Sequence, residues 1–412
     1  MAAGILGSII YVWSMVWWVA VPLALFFVFS DLWLSYVREK FLREMSWTLL
    51  EIRIPKENLK TPKAMEQIFI IAHSIQARPF KFKDKYWKGK VAEWMSFEMV
   101  GYAGGVHFFI RLPSLYRNLV EAAIYAQYPS AEVRESEDYT EIVPSTMPNE
   151  SLDLFGMHFI LAREDGYPIK MYEYFEASDE EQRLDPIASL AEVMSKLKEG
   201  EMIWLQFLVR PVGDEWRKKA EELIAELSGK AKPKKSGFIM SLINGLGVFM
   251  KNLAHAPVVH PEWPEAEEKK DAPTSVSASK GEAIKAIEQK TAKLGFETSI
   301  RFVFIDNVDR FSRGNIAAVS GTFRQYNTQN LNAFKGDAAT GGEGLFKKRK
   351  ELLSKRRMFE AYKSRTIEKK VFILNTEELA TIYHFPGAPV FAPMLKSIES
   401  KRGAPPPDLP IE

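Results

Sequence analysis

Cysteine is absent from the 412 residues. That removes disulfides, thiol catalysis and cysteine-based metal sites together. A phosphate loop of the form Gly-x4-Gly-Lys-Ser/Thr is also missing. The nearest approach, Gly341-Gly342-Glu343-Gly344 ahead of Lys347-Lys348, has the wrong spacing and reads as a loop. The six histidines (His73, His107, His158, His255, His260, His384) form no His-Glu-x-x-His pair, and no Gly-x-Ser-x-Gly elbow occurs. His255, His260 and Glu262 could approach a metal, but they lie in proline-rich chain and read better as linker. His107 reads as a packed or surface strand histidine. Nothing here composes a catalytic constellation, so the expectation is a non-enzyme without cofactor or metal.

Charge is missing from one place in particular: Met1 to Ser30 carry no charged side chain. The apolar stretch Ile9 to Phe29 is long enough, as a helix of about 30 Å, to cross the hydrocarbon core of a bilayer. A cleaved signal peptide fits less well, because no Lys or Arg precedes the run and Phe29-Ser30-Asp31 is a poor cleavage site. Pro22 is tolerable in such a span. Arg38, Lys40 and Arg43 follow it and none precede it. The positive-inside rule then puts the N-terminus outside and the rest in the cytoplasm, as a single-pass protein of the inner membrane. Trp33 and Tyr36 suit an interfacial belt, and the helix can run on to about Met45 as a stalk.

The remainder has ordinary globular composition, and its net charge of +2 says little about partners. After an anchor and stalk (1–46), residues 47–150 read as β-α-β-β-α-β, the order of a ferredoxin-like unit. Strands are expected at Leu49 to Ile54, Trp94 to Val100, Val106 to Ile110 and Ala131 to Arg134. Thr61-Pro62 and Ser114 open the two helices, and Gly104-Gly105 makes a hairpin turn. Residues 151–228 read as a second α+β module, with strands at Phe155 to Arg163, Ile169 to Phe175 and Ile203 to Val209. Its helices begin at Asp185-Pro186 and Asp214. Phe108 to Arg111 before Pro113 echoes Phe207 to Arg210 before Pro211, as a duplication or as shared strand-to-helix grammar.

Residues 229–280 are a linker with five prolines. Within it, the apolar segment 237–253 has Lys232, Lys234, Lys235 and Lys251 nearby. It could lie in a membrane interface, dock on a neighbouring domain or form a second span. A third α+β module covers 281–403, and a proline-rich tail covers 404–412. The fold class is thus α+β: an N-terminal transmembrane helix followed by two or three ferredoxin-like modules.

Residues Lys347 to Lys370 hold 11 Lys or Arg against Glu351, Glu360 and Glu368. This is either a solvated helix face or a contact for phosphates of DNA or lipid headgroups. Its candidates are Lys347, Lys348, Arg349, Lys350, Lys355, Arg356 and Arg357. Phe359 and Tyr362 could stack on bases but suit a core better. Further on, Thr376 can cap a helix with Glu377 and Glu378 at its positive end. That corner is structural, or it presents Glu377, Glu378, Tyr383, His384 and Phe385 to a partner.

Several strings stand out together: Ala286-Ile287-Glu288-Gln289-Lys290, Phe323-Arg324-Gln325-Tyr326-Asn327, Asn330-Leu331-Asn332-Ala333-Phe334, and Asn375-Thr376-Glu377-Glu378-Leu379-Ala380 with His384-Phe385-Pro386-Gly387. Pro62 to Gln67 and Ile124 to Pro129 join them. Together they resemble the membrane-proximal region of HerA/TraG-like conjugation and type IV secretion ATPases. In that family a RecA-like motor follows the Leu-Pro tail, whereas this chain stops at Glu412. The resemblance implies an anchor and adaptor without the engine, docking a separate HerA/TraG-like ATPase in a DNA- or protein-translocation machine. The expected partners are that ATPase, the lipid bilayer, other copies of the chain as a homo-oligomer, and DNA on the alternative reading of a membrane-tethered nucleic-acid binder.

Overall fold

The computed structural model describes residues 2–55, 58–77, 79–102, 105–175, 185–229, 278–338, 340–341, 344, 346–367 and 370–387. The apolar segment 237–253, the rest of 230–277, residue 104 of the expected hairpin turn and the chain from 388 on lie outside them.

The uncharged N-terminal run forms α1 (Ala2–Glu44), about 65 Å of helix at the standard rise, with Pro22 inside it. Among the described residues it is the one helix long and apolar enough to cross a membrane. Leu25, Phe26, Phe27 and Phe29 are exposed.

The next segment gives β1 (Trp47–Arg53), α2 (Pro62–Ala72), a short α3 (Phe82–Tyr86), β2 (Met95–Tyr102), β3 (Gly105–Pro113), α4 (Arg117–Gln127) and β4 (Glu132–Glu135). Pro62 opens α2, where a missing N–H costs nothing. The strands pair in the order β4-β1-β3-β2, all antiparallel. That is the ferredoxin-like arrangement expected for 47–150.

The same arrangement recurs. The recurring elements are β5 (Leu152–Leu161), α5 (Ala188–Ser195), β6 (Met202–Pro211), β7 (Gly295–Asn307), α8 (Arg313–Phe323) and β8 (Phe334–Ala338). Their strands pair as β6-β7-β5-β8, the first half's order met from its other edge. Between β6 and β7 sit α6 (Glu215–Leu227) and α7 (Ala278–Thr291). After β8 come α9 (Lys347–Ser364), β9 (Phe372–Asn375), which pairs with the start of β7, and α10 (Thr376–Ile382).

The two halves join edge to edge. β2 and β6, the second strand of each half, pair antiparallel from Met95↔Val209 to Gly101↔Ile203. All nine strands therefore form one sheet. This corrects the expected boundaries of 151–228 and 281–403. β5 and β6 come from the first of those stretches and β7 and β8 from the second, so neither is a unit by itself. The reason is burial on both faces. Ile203, Trp204, Leu205 and Phe207 on β6, with Phe302, Val303, Phe304 and Ile305 on β7, are all fully enclosed. Such strands read as uniform apolar runs that do not announce their partners.

Two smaller expectations also change. The echo at Phe108 and Phe207 falls on β3 and β6, which occupy different places in their halves. The counterpart of β3-α4 is β7-α8. And Ile169 to Phe175 is not a strand: it is irregular chain ending in a 3-10 turn at Tyr172–Tyr174. Side chains satisfy part of its backbone instead, with Ile169 N–H donating to Glu378 and Tyr172 N–H to Thr381, while Lys170 N–H donates to the Tyr326 carbonyl.

The sheet is covered on both sides. On one face α2, α4, α5, α8 and α10 pack over a continuous apolar core drawn from both halves. On the other, Met358, Phe359 and Tyr362 of α9 pack against Val100, Phe109, Trp204 and Val303.

Candidate functional site

The basic stretch forms α9 as one helix with two unlike ends. Toward its start, Lys347, Lys348, Arg349, Lys350, Arg356 and Arg357 are exposed. Lys355 departs from that expectation. It is largely buried and bound to both oxygens of Asp153 at 2.8 Å, with Glu351 at 3.1 Å. Phe346 precedes the helix in a left-handed conformation and is exposed, as are Leu352 and Leu353. Phe359 and Tyr362 are core, not stacking platforms. Gly156 lets the helix lie close: a Cβ there would meet the Met358 side chain at 2.3 Å.

Beneath α9 runs a row of buried polar side chains that sequence inspection did not find. Glu98, Gln206, Arg301 and His158 are cross-strand neighbours on β2, β6, β7 and β5. Just past the end of α9, Arg365 adopts φ +53° and turns its guanidinium into this row. It donates to Glu98 at 2.8 Å and to Asp138 at 2.6 Å, while its carbonyl accepts from Trp94. A left-handed arginine is strained by about 1–2 kcal/mol, which the ion pairs with the enclosed Glu98 and the partly exposed Asp138 offset. Burial pushes Glu98 toward neutrality. The adjoining Arg365, with hydrogen bonds from Ser96 and Tyr139, nonetheless holds its carboxyl below the usual range. Glu98 and Arg365 are 267 positions apart, so no local pattern could pair them.

The corner at α10 is the reverse of an exposed interface. Glu377, Glu378, Tyr383, His384 and Phe385 are all buried, none more than 4% exposed. Tyr383 and Phe385 fill the seam between the halves, against Phe97, Phe108 and Phe207. Asn375, not Thr376, caps the helix: its side chain accepts from Glu378 N–H, and Glu378 returns the bond to Asn375 N–H. Glu378 also faces Lys290 of α7 at 3.1 Å, both fully enclosed. Lys293 bridges Glu66 of α2 and Glu377 at 2.8 and 2.6 Å. His384 is held between the Ala380 carbonyl and Asp185. Burial works against the Asp185 charge, but His384 and two backbone N–H groups keep its carboxyl below its ordinary value. These residues are a clasp between the halves, so the expected presentation to a partner is corrected.

A cleft of about 980 Å³ lies beside the end of β6 and the starts of β7 and β9, lined among others by Gln76, Asp165, Trp216, Lys219 and Glu297. Burial raises the Asp165 carboxyl there. Its walls come from segments scattered over the chain, so spacing gave no signal for it. Among the described residues no group of three or more His, Asp or Glu is placed to hold a metal ion.

The fold and these sites define a tandem ferredoxin-like body carried on a long apolar helix. The chain belongs to a family described as a domain of unknown function, DUF8128, whose family model matches residues 35–394 and so spans both halves. No curated protein matches the chain.

Proposed function

We propose that this chain is a membrane-tethered, non-catalytic platform. On this reading α1 spans the inner membrane with its N-terminus outside, and the body lies in the cytoplasm. There it docks a separate HerA/TraG-like ATPase within a conjugation- or secretion-like translocation assembly, as a homo-oligomer. The observation that supports the reading is the single nine-stranded sheet hung from a 43-residue helix. Buried ion pairs, Lys290–Glu378 and Arg365–Glu98, clasp its helices. Such a body suits holding a partner in a fixed orientation. The test is affinity purification of the full chain in mild detergent. A HerA/TraG-like ATPase should co-purify, and preparations that repeatedly lack one overturn the docking role. The isolated chain should turn over no ATP.

A second reading rests on the exposed cations of α9. A phosphate contact there predicts DNA binding that falls steeply with salt, because each neutralised phosphate releases counterions. Replacing Lys347, Lys348, Arg349, Arg356 and Arg357 by Glu should abolish that binding. Unchanged binding by the variant removes this reading.

A further inference from the structure

Residues 79–90 read Pro-Phe-Lys-Phe-Lys-Asp-Lys-Tyr-Trp-Lys-Gly-Lys. They lie outside both ferredoxin-like cores, and α3 gathers their rings into one cluster. Phe82 stands 4.5 Å from Tyr86 and 6.3 Å from Trp87, centroid to centroid. These are not core residues: Phe82 is 68% exposed and Trp87 65%. Lys81, Lys83 and Lys85 around them are exposed too. Lys88 and Lys90 flank Asp84, the one acid in the segment.

The segment is fastened to α1 at one height. Trp33 Nε1 donates to the Tyr86 carbonyl at 2.9 Å. Gly89, at φ +63°, sits on the backbone of α1 where a Cβ would lie 2.1 Å from the Val37 oxygen. Only glycine fits that approach. Trp33 is four residues beyond Phe29, the last apolar residue of the run, or about 6 Å along the helix. If α1 spans, that is the depth of the headgroup layer, which is roughly 5–8 Å thick on each side of the core. Exposed Trp and Phe among lysines is the composition that partitions to this layer. Lysine there also meets lipid phosphate.

We propose that residues 79–90 form a second, interfacial membrane anchor. Phe82 and Trp87 enter the boundary between headgroups and acyl chains, and Lys81, Lys83 and Lys85 bind the phosphates of anionic phospholipids. The inference rests on the reading of α1 as a span. Its consequence is mechanical: one helix alone leaves the body free to swivel, whereas two contacts fix which face of the sheet turns toward the membrane.

The absence of native cysteine makes the test clean. The full chain carries a nitroxide at Phe82→Cys, Trp87→Cys, Phe26→Cys or Leu59→Cys in turn. It is reconstituted into phosphatidylcholine vesicles with and without phosphatidylglycerol. Collision of the label with oxygen is compared with collision with a water-soluble nickel chelate. Labels at 82 and 87 should favour oxygen several-fold more than the label at Leu59, an exposed site beyond the far end of β1. That preference should grow with phosphatidylglycerol, and Lys81→Glu/Lys83→Glu/Lys85→Glu should remove the growth. Water-like labels at 82 and 87 beside a lipid-like label at 26 overturn the anchor and leave the span standing. A water-like label at 26 overturns both. Labels indifferent to phosphatidylglycerol overturn the role of the lysines.

Discussion

Glu51 shows how one side chain ties stability to pH. It accepts from His107 at 3.0 Å and from Arg53 at 2.7 Å. The His107 hydrogen bond does most to lower its pKa; burial opposes it, and Arg53 adds to it. The carboxyl falls from 4.5 to about 2. The folded value lies below the unfolded one, so the stabilisation is complete above about pH 4.5 and drains away as pH falls toward 2. Glu51→Gln should therefore flatten the acid limb of the stability profile, as followed by urea unfolding across that window. An unchanged limb would show that Glu51 is not the group responsible. His107 was legible as a strand histidine, with packed and surface positions both open. Its partner was not, because Glu51 sits 56 positions away and meets it only across the β1–β3 pairing.

The last helix among the described residues, α10, rests on its cap. Asn375 accepts from Glu378 N–H at 2.8 Å and donates to the Lys290 carbonyl at 3.2 Å, all within the core. Asn375→Ala loses the cap and leaves buried groups unpaired, a cost of about 2–4 kcal/mol. Chemical denaturation of the variant should show a loss of that size. A change near zero would mean that the capping box does not hold the corner. The helix itself was legible at Thr376 to Glu378, displaced by one residue at its start. Its burial was not, because two glutamates, a tyrosine and a histidine have the composition of a surface. Only Lys290, Lys293 and Asp185, arriving from distant elements, make it an interior. For α9 the outcome is divided. Sequence pattern separated the exposed cations from the core pair Phe359 and Tyr362, but not Lys355, which Asp153 captures from β5.

At the scale of the whole body, the apolar core under α2, α4, α5, α8 and α10 runs unbroken from Leu50 of β1 to Phe334 of β8. The halves share the β2–β6 ladder and the α10 seam, so neither can lose its packing alone. Leu205→Ala, at a fully enclosed position on β6, should cost about 2–5 kcal/mol. It should also leave unfolding as one transition, with far-ultraviolet circular dichroism and tryptophan fluorescence moving together. Two separated transitions would show that the halves are independent domains. The ferredoxin-like order of the first half could be read in advance because its six elements lie within about a hundred residues, with only the short stretch around α3 between α2 and β2. The second half was hidden by residues 212–294, which separate the paired strands β6 and β7.

The sequence by itself determined the apolar N-terminal helix, the periodicity of the longer amphipathic helices and the β-α-β-β-α-β order of residues 47–150, though not the short α3. Each of these is encoded within a dozen or so neighbouring residues, where 3.6-residue and two-residue periods and capping chemistry act locally. Only the tertiary structure decided that nine strands make one sheet, that Arg365 answers Glu98, and that Glu378 to Phe385 lie inside. Strands apolar on both faces are interchangeable as text. Their pairing is fixed by which surfaces fit once the whole chain has collapsed.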